Sequence, residues 1–311
     1  MVKVAVAGGT TAIGRAIVKA IEKDGSHECV ILSRNDSNDS KVLAVDYSDP
    51  KSLQSVLEEH EVHTVISAVS LQSEASGQAQ LNLIEAADRS KATRRFMPSE
   101  FGAKYDSSHL AALPLHAFKF KAIELLETSS LEYTLFSNGL FMDYWFAPHI
   151  PSAFDFNAPS WVDLDNNFAA IPGNGDTPLV LTHSQDIGRF VVKVLGLNEW
   201  EKRCFLVGDR LTLNEFLRIA EEIKGVSFER HDDAMETLLK GQCTILPAVA
   251  AKLPPQYVSG AFMKILAACG SWAANGGLNL PAEGTLNAMF PDIQTLTVRE
   301  AIEIYFGRVK N

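Results

Sequence analysis

Short β-rich runs alternate with longer stretches of helical period through the first 140 residues, and this alternation constrains the fold more than any other feature of the chain. VKVAVAG is a compact apolar run, and RAIVKAIEK follows it with apolar residues on one helical stripe. ECVILSR, KVLAVDYS, HTVISAVS and RRFMPSE repeat the strand-like pattern. Between them lie the loop SRNDSNDS, a helix over 51–60 and a helix over GQAQLNLIEAADRS. Asp49-Pro50 places a capping carboxylate before a proline suited to a first helical turn. Strands joined through helices return to the same end of a sheet and must run parallel. The sequence therefore predicts an α/β, doubly wound parallel sheet.

The opening AVAGGTTAIGRAI is strand, glycine loop and helix, a geometry that offers backbone N–H groups and a helix dipole to a pyrophosphate. Gly8 allows the tight turn, and Gly14 lets the helix approach the sheet. Thr11 stands where such a loop normally carries its middle glycine; it costs clearance, although its hydroxyl can donate to a phosphate. A βα turn with no ligand has the same local pattern, so the loop alone is a weak signal. The second strand adds to it by ending Leu32-Ser33-Arg34, with no acid until Asp36. A carboxylate there would accept from a ribose 2′-hydroxyl, whereas a guanidinium forks onto a 2′-phosphate and Ser33 adds a hydroxyl. This pair points to NADP rather than NAD.

The second half is less regular. YTLFSNGLFMDYW starts as a strand and runs into an aromatic loop. PLVLTHSQDIGRFVVKVLG and CFLVGDRLTLNEFLRIAEEI each read as strand, turn and helix. Thr212 with Glu215, and Thr297 with Glu300, form capping boxes. Residues 225–295 are loop-rich with several apolar helices. The expected division is a nucleotide-binding domain over 1–150, with later strands from about 178–210 returning to it, and a smaller, mostly helical substrate lobe from 151–177 and 211–311.

A net charge of −10 argues against nucleic acid or an anionic membrane as the main partner. An anionic cofactor is still compatible, because a local cation and a helix N-terminus outweigh a distant negative surface. Four scattered cysteines without a CxxC pair fit reduced thiols better than a disulfide framework or a zinc site. GAFMKILAACGSWAA carries Lys264 and is too short to cross a bilayer. With no signal-peptide pattern at the start, the expectation is a soluble cytoplasmic protein, monomer or homodimer, with no metal.

RRFMPSEFG, residues 94–102, closely resembles the R-F-x-P-S-E-F-G signature of the isoflavone reductase-like and NmrA-like family, atypical relatives of the short-chain dehydrogenases. GGTTAIG, LSR and VDYSD resemble the family's first, second and third strand ends, and NGLFMDYW, PGNGDTPL, HSQDIGRF and LVGDRLTLNE resemble fungal members. The resemblance implies a Rossmann fold and an NADPH/NADP+ cofactor. It implies contacts from Gly8, Thr10, Thr11, Ile13 and Gly14 in the first loop, and from Ser33, Arg34 and Asp46 after the next two strands. Ser67 and Ala68, then Ser99, Glu100 and Phe101, are implied after the fourth and fifth strands.

The family's reductases carry a catalytic lysine in a helix, eight residues before a glutamate and followed by a strand beginning Y-T. KFKAIELLETSSLEYTLF places Lys119 eight residues before Glu127, with Tyr133-Thr134 in register, so Lys119 is the position implied as general acid/base and nicotinamide contact. Lys121 leaves the helix about 200° away and is expected in solvent. Two positions depart from the pattern: Thr11, and Ile123, where the plant reductases carry arginine. The chemistry is consistent on its own terms. Hydride delivery builds negative charge on a substrate oxygen, and a desolvated lysine can exchange protons near neutrality. Tyr47 and Lys51 match a Y-x-x-x-K spacing by chance, and His63, His109, His149 and His183 show no metal spacing and are expected in packing or surface roles.

Phe141, Met142, Tyr144 and Trp145 follow the carboxyl end of the sixth strand, the ligand-facing side of an open α/β sheet, and are expected to contact a small hydrophobic or aromatic metabolite. The leading expectation is an NADPH-dependent reductase of an aromatic or unsaturated secondary metabolite. Two alternatives stay open: a redox-neutral isomerase or cyclase that uses the same cofactor, and a non-enzymatic NADP(H)-sensing regulator. A sensor has no need of Lys119.

Overall fold

The computed structural model describes residues 1–155, 157–252 and 260–307. Contacts divide the chain into two compact units. The first is Met1–Ser137 with Ser184–Leu206 and Gly284–Phe290; the second is Asn138–His183 with Val207–Glu283 and Pro291–Asn311.

In the first unit the elements run β1 (Lys3–Ala7), α1 (Ala12–Asp24), β2 (Glu28–Ser33), β3 (Val42–Ala44), α2 (Pro50–Glu59), β4 (Thr64–Ser67), α3 (Glu74–Arg89), β5 (Arg95–Met97), α4 (Ala117–Thr128), β6 (Glu132–Tyr133) and β7 (Leu135–Ser137). The sheet order is β3-β2-β1-β4-β5-β6, parallel throughout. Strand β1 sits at its centre, between β2 and β4, and four of its five residues are buried. A strand covered on both faces reads as a continuous apolar run, as KVAVA does. The strand order reverses across β1 and β4, so their carboxyl ends, Ala7 and Ser67, flank the crevice where doubly wound sheets take ligands. Beyond β6 the chain continues as β7, which pairs in parallel with the late strand Arg203–Phe205.

Helix α1 buries Ile13, Ile17 and Ile21, one i,i+4 stripe, and stops at Gly25, whose φ of 70° lets its N–H reach the Ile21 carbonyl. Full burial of Ile17 and Ile21 contributes about 1.5–3 kcal/mol each. The other face of α1 takes the helix Ser184–Leu195, where a Cβ on Gly188 would lie 2.8 Å from the Ala16 carbonyl oxygen. Asp49 caps α2 through the N–H groups of Lys51 and Ser52, with Pro50 in the first turn.

The second unit carries two three-stranded sheets. Leu179–Thr182 lies between Leu140–Phe141 and Asp209–Leu211, and Phe168–Pro172 lies between Glu229–Asp233 and Val162–Asp163. Both capping boxes are formed: Thr212 with Glu215 opens the helix Leu213–Lys224, and Thr297 with Glu300 opens Val298–Gly307.

Two expectations about the division change. The segments returning to the first unit are Ser184–Leu206 and Gly284–Phe290, while Leu179–Thr182 and Asp209–Leu211 build the second unit's own sheet; the first boundary falls after Ser137, not near residue 150. A stretch expected to be mostly helical also holds sheet. Two-residue strands are too short to alternate, and Glu229–Asp233, reading ERHDD, has no apolar period to detect.

Candidate active site

The glycine loop begins at the carboxyl end of β1. Gly8 has φ 76°, and a Cβ there would sit 2.8 Å from the Ala68 carbonyl oxygen, so the turn and the β4 end meet backbone to backbone. Gly14 is tighter still: its Cβ would lie 2.2 Å from the Gly8 oxygen. Thr11 is the N-cap of α1, yet its side chain caps nothing and is exposed, as is Thr10. Ala12, immediately after it, takes φ 41°, the left-handed region that favours glycine. No acidic side chain occupies the first turn of α1 to compete for its positive end. Ile13 packs its side chain into the core, leaving its backbone for any ligand.

At the end of β2, Ser33 Oγ accepts from the Asn35 N–H at 3.1 Å, and Arg34 is exposed. Among the described residues Arg34 makes no hydrogen bond or ion pair; its charge acts on the partly buried Tyr47 phenol, which donates to the Leu32 carbonyl. That hydrogen bond gives Tyr47 a structural role and leaves no Tyr–Lys dyad with Lys51. Asp46 is exposed and accepts from the Ser48 N–H and hydroxyl, which hold its carboxyl below the usual range. Ser67 Oγ is wholly buried with no hydrogen-bond partner among the described residues. A cradle that only glycine fits, a free helix N-terminus, an orphaned hydroxyl at the switch point and an unpaired guanidinium after β2 together fit a dinucleotide with a 2′-phosphate.

Lys119 and Lys121 separate as their helical spacing requires. Lys119 is buried at 6% exposure, whereas Lys121 is exposed with its ammonium over the Phe118 ring. The Lys119 ammonium donates to the Ser99 carbonyl at 2.6 Å, stands 3.7 Å from Glu100 Oε1, and lies 5.2 Å from the centre of the Tyr105 ring. Glu100 Oε2 is 3.7 Å from Arg203, which itself donates to Ser137 Oγ. Burial pushes the Lys119 amine below the usual lysine range; Glu100 opposes that shift and Arg203 adds to it. His116, one turn before Lys119, is held down to about 4 by burial and by the nearby Lys119 charge, and its ring meets Tyr105 edge-on at 4.4 Å.

The loop after β5 is the seat of this lysine. The Ser99 N–H donates to Gln80, wholly buried on α3, and the Ser99 hydroxyl donates to the Val69 carbonyl. Phe101 packs its ring 5.6 Å from Phe136. The side chains of Ser99, Glu100 and Phe101, expected as cofactor contacts, are thus engaged within the protein, and Ser99 and Glu100 hold Lys119. Sequence reasoning missed Arg203 and Gln80, which strand pairing and helix packing bring to this loop from far along the chain. It also missed His116, although its i,i+3 spacing to Lys119 was a usable signal.

In the second unit, Phe141, Tyr144 and Phe154 form an aromatic trio with ring centres 5.1–5.9 Å apart, and Phe141 and Tyr144 are partly exposed. Burial and the adjacent Asp143 push the Tyr144 phenol up to about 12, so it stays protonated at neutral pH. Met142 and Trp145 depart from expectation: both point into the core, Trp145 against Trp161 and Phe216. Residues 143–146 form a helical turn rather than a loop, and three of its four side chains, Asp143, Trp145 and Phe146, are buried, leaving Tyr144 partly exposed.

Among the described residues no group of three or more His, Cys, Asp or Glu could hold a metal ion, and no helix is long and apolar enough to cross a membrane. All four cysteines are free.

The 3-2-1-4-5-6 sheet and its glycine cradle define a dinucleotide-binding fold of the doubly wound class. The profile of the NmrA-like family matches residues 2–256, and the chain belongs to that family. It is 42% identical over 231 residues to Oxidoreductase BOA1 of Botryotinia fuckeliana, covering 72% of this chain and 77% of that protein. It is 30% identical to Oxidoreductase swnN of Metarhizium robertsii over 96% of each chain. Among solved structures, the binary complex of leucoanthocyanidin reductase with NADPH from Vitis vinifera has the same fold, with TM-score 0.73 over 98% of this chain and 99% of that one at 21% identity.

Proposed function

We propose that this chain is an NADPH-dependent reductase of a small aromatic or unsaturated secondary metabolite, with Lys119 as its proton donor. The observation that carries the reading is Lys119 itself. A lysine buried at 6% exposure, with one hydrogen bond to a carbonyl and one carboxylate nearby, is costly to keep unless its proton is used. The names of the fungal relatives and the NADPH-bound structural neighbour support the same class.

Bound NADPH supplies a hydride. Gly8, Gly14 and the α1 N-terminus would hold the pyrophosphate, and Ser33 and Arg34 would take the 2′-phosphate. Lys119 donates a proton to the substrate oxygen as it gains charge, and burial, by lowering the amine's hold on that proton, eases the transfer. Phe141 and Tyr144 present aromatic surface suited to a phenolic or polyketide-like ring.

The test is turnover with NADPH deuterated at the transferring carbon and a panel of aromatic ketones, enones and benzylic ethers. Deuterium in the product, matched by equal loss of NADPH absorbance, is expected. Conversion without NADPH loss would replace the reading by a redox-neutral isomerase or cyclase. Tight NADPH binding without turnover of any class would favour a regulator.

A further inference from the structure

We propose that Glu100 is a positioning residue that holds the Lys119 ammonium from one carboxylate oxygen and ties it through the other to Arg203, so that the three side chains act as one charge unit. The inference rests on Lys119 being the proton donor of the proposed reaction.

The geometry is that of a bridge. Glu100 Oε1 and Oε2 each face one cation at 3.7 Å, and the three side chains are 3%, 7% and 18% exposed for Glu100, Lys119 and Arg203. Oε1 has no hydrogen-bond partner among the described residues, so its main neighbour is the ammonium. Every support of the bridge is fixed. The Glu100 N–H donates to the Pro98 carbonyl, Ser99 is tied to Gln80 and Val69, and Arg203 is anchored on Ser137 Oγ. A buried ion pair is a poor way to gain stability, because apolar side chains of the same volume do as well without desolvating charge. Two cations sharing one carboxylate are harder still to explain by stability. Their arrangement balances one pull against another: Glu100 favours the charged amine, while Arg203 and burial disfavour it.

The other groups around Lys119 do not take over this role. His116, on the turn before α4, is uncharged at neutral pH, and Tyr105 offers its ring face. His109, buried beyond Tyr105, pairs with the exposed Asp106. Glu100 and Arg203 are therefore the two charges that set the lysine.

The experiment titrates the lysine side-chain NMR signals of the cofactor-free protein, with Lys119 assigned by its absence in Lys119→Met. In Glu100→Gln the Lys119 midpoint should fall by about one to two pH units, the size expected for an opposite charge within contact distance. In Arg203→Met it should rise, because a repelling charge is gone and the carboxylate faces the amine alone. The high-pH limb of the pH–rate profile should move in the same two directions, and Glu100→Asp should recover part of the loss. Unchanged midpoints, or midpoints that move the same way in both variants, overturn the charge unit. If Glu100→Gln does not fold, Arg203→Met alone decides by the sign of its shift. Normal turnover by Lys119→Met would remove the proton-donor reading, while the titrations would still report whether the bridge exists.

Discussion

Replacing Arg34 tests the cofactor assignment without knowledge of the substrate. Arg34 follows β2, is exposed, and has no hydrogen-bond or ion-pair partner among the described residues, so its truncation removes charge and little packing. A guanidinium and a unit negative charge about 4 Å apart attract by about 1 kcal/mol in bulk water and about 4 kcal/mol in a partly desolvated surface site. An exposed arginine belongs near the lower limit, and the second phosphate charge roughly doubles it. The preference for NADPH over NADH should then be about 1.4–2.8 kcal/mol, or ten- to a hundredfold. In Arg34→Ala the NADPH affinity should fall by that factor while NADH affinity stays within about twofold, so that the preference collapses. Fluorescence titration with both nucleotides measures it, and added salt should shrink the preference of the unmutated protein but not of the variant. Equal affinities in the unmutated protein, or equal weakening of both nucleotides by Arg34→Ala, would refute the reasoning.

Lys119→Met should lower turnover by about 10² to 10⁴ with NADPH affinity kept, whereas the exposed Lys121→Met should turn over almost normally in the same steady-state assay. Gly14→Ala forces a methyl to within 2.2 Å of a backbone oxygen, so chemical denaturation should show a loss of about 1–3 kcal/mol together with weaker NADPH binding. Thr11→Gly should bind NADPH as well or better in the same titration, since the Thr11 side chain caps nothing. His116 is held at about 4 against an ordinary 6.5, so in that window the unfolded chain takes up a proton that the folded chain refuses. Stability should therefore fall as pH drops from 6.5 toward 4, by about 1–2 kcal/mol after allowing for partial exposure, and His116→Gln should flatten that slope in denaturant melts.

Much of the first unit, and two helix starts of the second, could be read from local chemistry. The strand–helix alternation, the Asp49-Pro50 cap and both capping boxes are short-range features, and each formed where its residues indicated. Lys119 and Lys121 were separable because helical period alone sends them to different faces. What lay beyond reach was long-range. Arg203 reaches Glu100 only because Arg203–Phe205 pairs with β7, and no pattern around residue 203 announces that pairing. The motif implies Ser99 and Glu100 as cofactor contacts but does not announce that they also seat Lys119. Met142 immediately precedes, and Trp145 sits on, a four-residue helix too short for the sequence to tell its inward face from its outward one.

The path of the backbone between the two units bears on how the protein is made. The chain leaves the first unit after Ser137, returns at Ser184, leaves after Leu206, returns at Gly284 and leaves again after Phe290. A ribosome that has released only the first 137 residues has therefore exposed β7 without its partner strand and α1 without the helix that covers it. That intermediate presents an open sheet edge and an uncovered apolar face until the late strand emerges. Nor can the dinucleotide-binding unit be cut out at one junction and grafted elsewhere, because β7 takes its partner strand, and α1 its covering helix, from residues that follow the second unit's first segment. Recombination at a single crossover would break both units at once.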